Sequence, residues 1–235
     1  MASRVLSIEI NQIATKICEM EERTKNPKVY KSFMISTPEG VIQDGMLQPD
    51  EEYVKSITSL LAAHAIKAKK VIFSVSSSRI ASREVTIPYV KVSKVGEVIS
   101  AKADEYFPVD LDNYKVTWVL MGVEQDAKGN KKHKALVLAV PNNLLQGYYA
   151  LAESCGLELA AIDYMGNSLF QAVKSSRMEG TQAVAKIDEN ATLIIVIKDG
   201  AMVSIRNVPY GVGGAINIMM EDVRKTEENE WNDGY

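Results

Sequence analysis

Cysteine and histidine are scarce: the 235 residues hold two of each, Cys18, Cys155, His64 and His133. Two distant cysteines do not frame a disulfide scaffold, and a reducing compartment is the default. His64 falls near a helix end and His133 beside lysines. Neither has cysteine or carboxylate partners at ligand spacing, so no metal site is expected. An excess of basic charge is also absent. Lys plus Arg total 27 against 30 for Asp plus Glu, a net charge of −3. With no polybasic block, nucleic acid and an anionic membrane surface are disfavoured as partners. The longest uncharged run, 135–152, is interrupted by Pro141, Asn142, Asn143 and Gln146, groups that are costly in hydrocarbon. The opening MASRVLSIEI has a single basic residue and no small-residue cleavage site after an apolar stretch. No G-x-S-x-G nucleophile elbow occurs. A soluble, cytoplasmic protein is expected.

What is present suits a folded α/β chain. Hydrophobic residues make up 46% and charged residues 24%, enough for one large domain or two smaller ones. Two short strands, 4–10 and 14–20, meet at Asn11-Gln12, and a third over 29–37 follows the charged turn EERTKNPK. Asp50 is placed to cap a helix over 51–66, where Val54, Ile57, Leu61 and Ala65 recur at helical spacing. The apolar strand VIFSVS follows.

After Ser76-Ser77-Ser78, read as a polar linker, the pattern changes. The strand SREVTIP stops at Pro88, a helix spans 92–106, and strands KVTWVLMGV and KALVLAV flank the hairpin tip EQDAKGNKKH. This strand-helix-strand-strand set reads as a small domain inserted into a larger one. Asp104, Glu105, Asp110 and Asp112 lie around the turn at Pro108, where aspartate more often caps than catalyses. A helix from Pro141 ends at Gly156. Strand LELAAID, another helix and the breaker stretch SSRMEG then lead to strands TQAVAKI, TLIIVI and AMVSIRNV. Asp199-Gly200 between the last two is a hairpin signal. Gly211, Gly213 and Gly214 open a last helix over 212–223, and KTEENEWNDGY reads as a frayed polar tail.

Several of these segments together resemble the PilM family of type IV pilus assembly proteins, actin-like relatives of the division protein FtsA. VIFSVSSSRIASREVTIP looks like the family's strand, serine-rich turn and strand. AKADEYFPVDLDNYKVTW is similar to its helix, aromatic-Pro turn and acidic loop. LVLAVPNNLLQGYYALAESCGLELAAIDYMGNSLFQAV matches its strand-Pro-helix, Gly-Leu turn, strand-Asp and helix in order. IKDGAMVSIRNVPYGVGG looks like its hairpin and Arg-x-x-Pro-x-Gly segment.

The resemblance implies an α/β, actin-like (ribonuclease H-like) first lobe with an inserted strand-helix-strand-strand subdomain, plus the beginning of a second lobe. The expected partition is 1–79 with 142–178 for the first subdomain, 80–141 for the insertion, 179–225 for the second lobe and 226–235 for the tail. The chain therefore resembles a shortened member.

Mg-ATP is the cofactor the family implies. The aligned phosphate hairpins here run through Glu9, Asn11, Gln12 and Lys16, and through Asp188, Glu189 and Asn190. Glycine is replaced by asparagine in both. Asn11 tolerates a left-handed turn, but its side chain would occupy the phosphate approach, and Glu189 adds like charge. These departures argue against hydrolysis.

The resemblance also implies a groove for the cytoplasmic N-terminal peptide of PilN, an inner-membrane partner. The candidates are Arg83, Val85, Pro88, Tyr106, Phe107 and Pro108. Val85 and Phe107 read equally well as core of the insertion. The leading expectation is a non-catalytic cytoplasmic scaffold, recruited to the inner membrane by a PilN-like protein. It would work beside other pilus or secretion assembly proteins and without nucleic acid, with homo-oligomers among the expected contacts. The alternative is a nucleotide-switched ATPase using Lys16, Glu9 and Asp188. A GspL-like secretion scaffold is a third reading.

Overall fold

The computed structural model describes residues 3–22, 27–174 and 179–232, with side chains described as far as residue 222. The expected turn over 21–28 and the breaker stretch 175–180 fall partly outside these residues. The chain divides into two compact units, 1–168 and 169–235.

The first unit opens with an antiparallel meander, β1 (Arg4–Ile10), β2 (Ala14–Glu21) and β3 (Val29–Ser36). A two-residue-strand hairpin, β4 (Ile42–Gln43) and β5 (Met46–Leu47), precedes α1 (Glu51–Ala63) and β6 (Lys70–Val75). The excursion that follows carries β7 (Ala81–Pro88), α2 (Val92–Ser100), α3 (Ala103–Tyr106), β8 (Tyr114–Gln125) and β9 (Lys131–Pro141). The chain then returns through α4 (Asn142–Ser154), β10 (Glu158–Tyr164) and α5 (Met165–Val173).

Five strands form one sheet in the order β10-β6-β1-β2-β3, with β6 parallel to both β1 and β10. Register puts Leu6, Ile8, Thr15, Ile17, Val71 and Phe73 on one buried face. Helices cover that face: the Thr15 hydroxyl bonds the buried Tyr53 of α1, and the Tyr148 ring of α4 lies 5.3 Å from Phe73. Charge is brought inside at one point. Glu19 has no exposed surface, yet its carboxylate bonds Arg4 at 3.1 Å and accepts the amides of Lys67 and Ala68. The opposite face mixes polar and apolar residues. Ser7, Glu9, Lys16, Cys18, Ser32 and Met34 line an open depression of about 540 Å³ there.

The excursion builds its own sheet, β7-β9-β8, and its own core of Ile87, Val95, Ile99, Phe107, Ala135 and Val137. The expected single helix over 92–106 is broken at Ala101–Lys102 into α2 and α3. The break lets Phe107 reach the same core as Val95 and Ile99. The expected helix over 51–66 stops at Ala63, because Ala65 turns left-handed (φ 48°) and Ile66 N–H returns to Leu61 O.

The second unit contains the meander β11 (Thr181–Ile187), β12 (Thr192–Lys198) and β13 (Ala201–Val208), followed by α6 (Val212–Asn232). Asp199 and Gly200 both have positive φ, as a type I′ hairpin turn requires. The frayed tail expected at 225–235 is instead helical to Asn232, since Lys225 to Asn232 contain neither Gly nor Pro. Residues 233–235 lie outside the described residues.

Candidate functional site

The turn after β1 is set by one side chain. Asn11 Oδ1 accepts the amides of Ile13 at 3.0 Å and Ala14 at 2.8 Å, while Asn11 N–H donates to Ala14 O. Asn11 does not use the left-handed conformation it would tolerate, because an Asx-type turn closes without positive φ. The amides that a phosphate would need are thus already bonded. Thr15, next to the turn, is buried and its hydroxyl bonds those of Thr37 and Tyr53. Its Tyr53 partner is pushed up to about 12 by burial, so that phenol stays protonated. Gln12 is exposed at the tip.

Lys16 sits beside this turn with its Nζ 3.2 Å from Glu9 Oε1. Register extends the pair into a row across this face: Lys16 opposes Glu9, Glu9 opposes Ser74, and Ser74 opposes Asp163. Asp163 accepts from Ser168 Oγ at 2.6 Å and Asn167 Nδ2 at 2.9 Å, and Ser168 also meets Ser74 Oγ at 3.0 Å. Sequence reading missed Ser74, Asp163, Asn167 and Ser168 as a group, because only strand register aligns them. Within this row Lys16 is paired with Glu9, and Asp163 is held by Ser168 and Asn167.

The second hairpin is closed differently. Asp188 is ion-paired to Lys186, and the first amides of α6 donate to the turn: Val212 to Asp188 O at 3.0 Å and Gly213 to Glu189 O at 2.9 Å. A Cβ on Gly211 would lie 2.1 Å from Asp188 O, so glycine is what permits this approach. Asn190 lies at the turn between β11 and β12. Among the described residues no group of three or more His, Cys, Asp or Glu could hold a metal ion.

On the small sheet, Arg83 Nη1 donates to the carbonyls of Glu105 and Tyr106 at 3.2 and 3.1 Å, tying β7 to the end of α3. Phe107 is core, and Val85 and Tyr106 pack against that core. Pro88 and Pro108 are exposed, next to the exposed apolar residues Tyr89 and Val109. Asp110 caps: Oδ1 accepts from Asp112 N and Oδ2 from Asn113 Nδ2.

The family described as type IV pilus assembly protein PilM matches residues 7–230. The chain belongs to the PilM family. No sequence among curated proteins matches it. Among solved structures, a PilM-PilN type IV pilus biogenesis complex is similar at a TM-score of 0.73 and 16% identity, over 97% of this chain and 71% of that one. The cytoplasmic domain of EpsL, an inner membrane component of the type II secretion system of Vibrio cholerae, is similar at 0.50 and 13%, over 88% of this chain and 71% of that one. The fold shared with these PilM and EpsL structures is actin-like, with β1–β3 and β11–β13 as its two meanders. No helix of the described residues is long and apolar enough to cross a membrane.

Proposed function

We propose that this PilM-family chain is a non-catalytic scaffold of type IV pilus assembly that holds the cytoplasmic N-terminal tail of a PilN-like inner-membrane protein. The observation that carries this reading is the internal closure of the first hairpin, where Asn11 Oδ1 takes the Ile13 and Ala14 amides. A nucleotide would have to displace that side chain and separate Lys16 from Glu9. Chemistry being disfavoured, the role falls to surface. The excursion 80–141 acts as an inserted subdomain, and its exposed Pro108 and Val109 follow the Arg83 tie, while its exposed Pro88 and Tyr89 lie at the other end of β7. An extended peptide is recognised by apolar pockets with backbone partners at such a place. Recruitment by that tail would station the protein at the cytoplasmic face of the inner membrane.

The test is a labelled peptide of the partner's cytoplasmic tail, titrated against the chain and against Val109→Asp. Saturable binding, weakened roughly tenfold by the variant at an unchanged Tm, supports the scaffold. No binding to the parent chain rejects it. Stabilisation by Mg-ATP that Lys16→Ala removes would instead favour the nucleotide-switched reading.

A further inference from the structure

The chain enters and leaves the small sheet at one end, since Ala81, where β7 begins, pairs with Ala139 near the close of β9. At the other end the packing is unfinished. The apolar stripe of α2 runs through Ile99, Val95 and Val92 at helical spacing. Ile99 and Val95 are core, but Val92 is 59% exposed. The sheet row on that face ends alike. Ile87, His133 and Val123 stand in register across β7, β9 and β8; the first two are buried, and Val123 is 55% exposed. Tyr89 closes over His133 with the rings stacked at 4.5 Å, and is itself 54% exposed. His133 Nε2 meets Val90 O at 2.8 Å, tying the approach to α2 to the same place. A carbonyl only accepts, so Nε2 carries the proton, and Nδ1 is left buried without a partner.

Charge at this end is unbalanced in one direction. Lys91 is the N-cap of α2 and makes no side-chain cap bond, and the first turn of α2 holds no acidic residue. The free amides and positive dipole end of that helix are therefore unanswered. Lys131 Nζ lies 5.9 Å from the centre of the Tyr89 ring, and Lys128 is exposed at the hairpin tip. Lys94, Lys132 and Lys134 are paired to Glu97, Asp126 and Glu84, and Glu124 is bonded to Thr86. Among the described residues no carboxylate pairs with the ammonium groups of Lys91, Lys128 or Lys131. We propose that this end of the subdomain docks an acidic segment of a partner protein. An apolar side chain of that segment covers Tyr89, Val92 and Val123, and a carboxylate caps α2 between Lys91 and Lys131. The chain as a whole carries a net charge of −3, so an extended anionic bilayer would be repelled where a short acidic segment is not. The surface is separate from Arg83, Pro108 and Val109 at the opposite end of β7, and does not depend on a tail binding there.

A displayed library of random short peptides, selected on the whole chain, tests this. Enriched peptides should carry several Asp or Glu around an apolar residue. Their affinity should fall roughly tenfold on Lys91→Glu or Lys131→Glu, and should weaken as salt is raised. Both substitutions change exposed side chains, so the fold is kept, as read by circular dichroism. Lys55→Glu makes the same charge change at an exposed lysine of α1 and should leave binding as it was. No enrichment, enrichment without acidic residues, or acidic peptides that bind Lys91→Glu and Lys131→Glu as well as the parent chain overturns the proposal. Two rival occupants have their own signals. Retention on phosphatidylserine vesicles that both variants abolish would assign this end to a membrane. A dimer in sedimentation equilibrium that both variants dissociate would assign it to a second copy. Either result overturns the acidic segment.

Discussion

Asn11 Oδ1 lies 2.8 Å from the amide nitrogen of Ala14, so the first hairpin of this PilM-family chain carries its own anion substitute. The carbonyl oxygen supplies the partial negative charge that a phosphate oxygen would otherwise bring to the turn. A saturating nucleotide at a hundred times its Kd would add about 2.7 kcal/mol, a Tm shift of roughly 5–10 °C for a chain of this size. The expected outcome of a Mg-ATP thermal titration is no shift. Asn11→Ala should lower stability by about 1 kcal/mol, the usual cost of losing a capping side chain, as read by urea unfolding.

Glu19 gives a pH-dependent prediction. Burial pushes its carboxyl up, but the Lys67 and Ala68 amides and the Arg4 guanidinium outweigh burial and hold it below the usual carboxylate value. Its contribution is complete above the unfolded-state pKa, near 4.3, and is lost as pH falls through the lower folded value. Stability should decline below about pH 5, and Glu19→Gln should flatten that decline. Glu19→Ala strands Arg4 and two amides and should cost about 3 kcal/mol, measured by the urea midpoint at pH 7.

Gly147→Ala should destabilise through one contact. A Cβ there would lie 2.1 Å from the backbone oxygen of Leu47, a group that cannot swing aside. The β4–β5 hairpin is also held to α4 by the Tyr148 hydroxyl on Gly45 O at 3.0 Å. Displacing it should cost about 1–3 kcal/mol, visible as a lower Tm with secondary structure retained.

Ala65→Gly should act in the opposite direction. Ala65 occupies the left-handed position of a Schellman end, with Ile66 N–H on Leu61 O. Glycine removes the Cβ penalty of that conformation, partly offset by greater freedom in the unfolded chain. A gain of about 0.5–1 kcal/mol is expected in urea unfolding.

Ala65 also shows why some of the fold was legible in the sequence and some was not. The end of α4 is the same motif, with Gly156 at φ 65° and Leu157 N–H on Ala152 O, and glycine announced it. The end of α1 carries alanine, so periodicity alone carried the expected helix too far. Asp199-Gly200 was readable as a turn because long alternating strands flank it. Asp44-Gly45 has the same pair of positive φ angles, but its strands are two residues long and leave no period to read. The asparagines in place of glycine in both hairpins could be seen from residue types. The row of Lys16, Glu9, Ser74 and Asp163 could not, since it exists only in the register of four strands.

The order β10-β6-β1 sets a timetable for synthesis. β6 is made early, but its outer neighbour β10 follows only after the whole excursion through β7, β8 and β9 has been translated. The excursion closes within 81–141, by the β8–β9 hairpin and the pairing of β7 with β9, and can form while the ribosome is still working. The main sheet has to wait with one edge of β6 open. A chain stalled before Glu158 would display that apolar strand to chaperones, and a chain carried past Tyr164 would not.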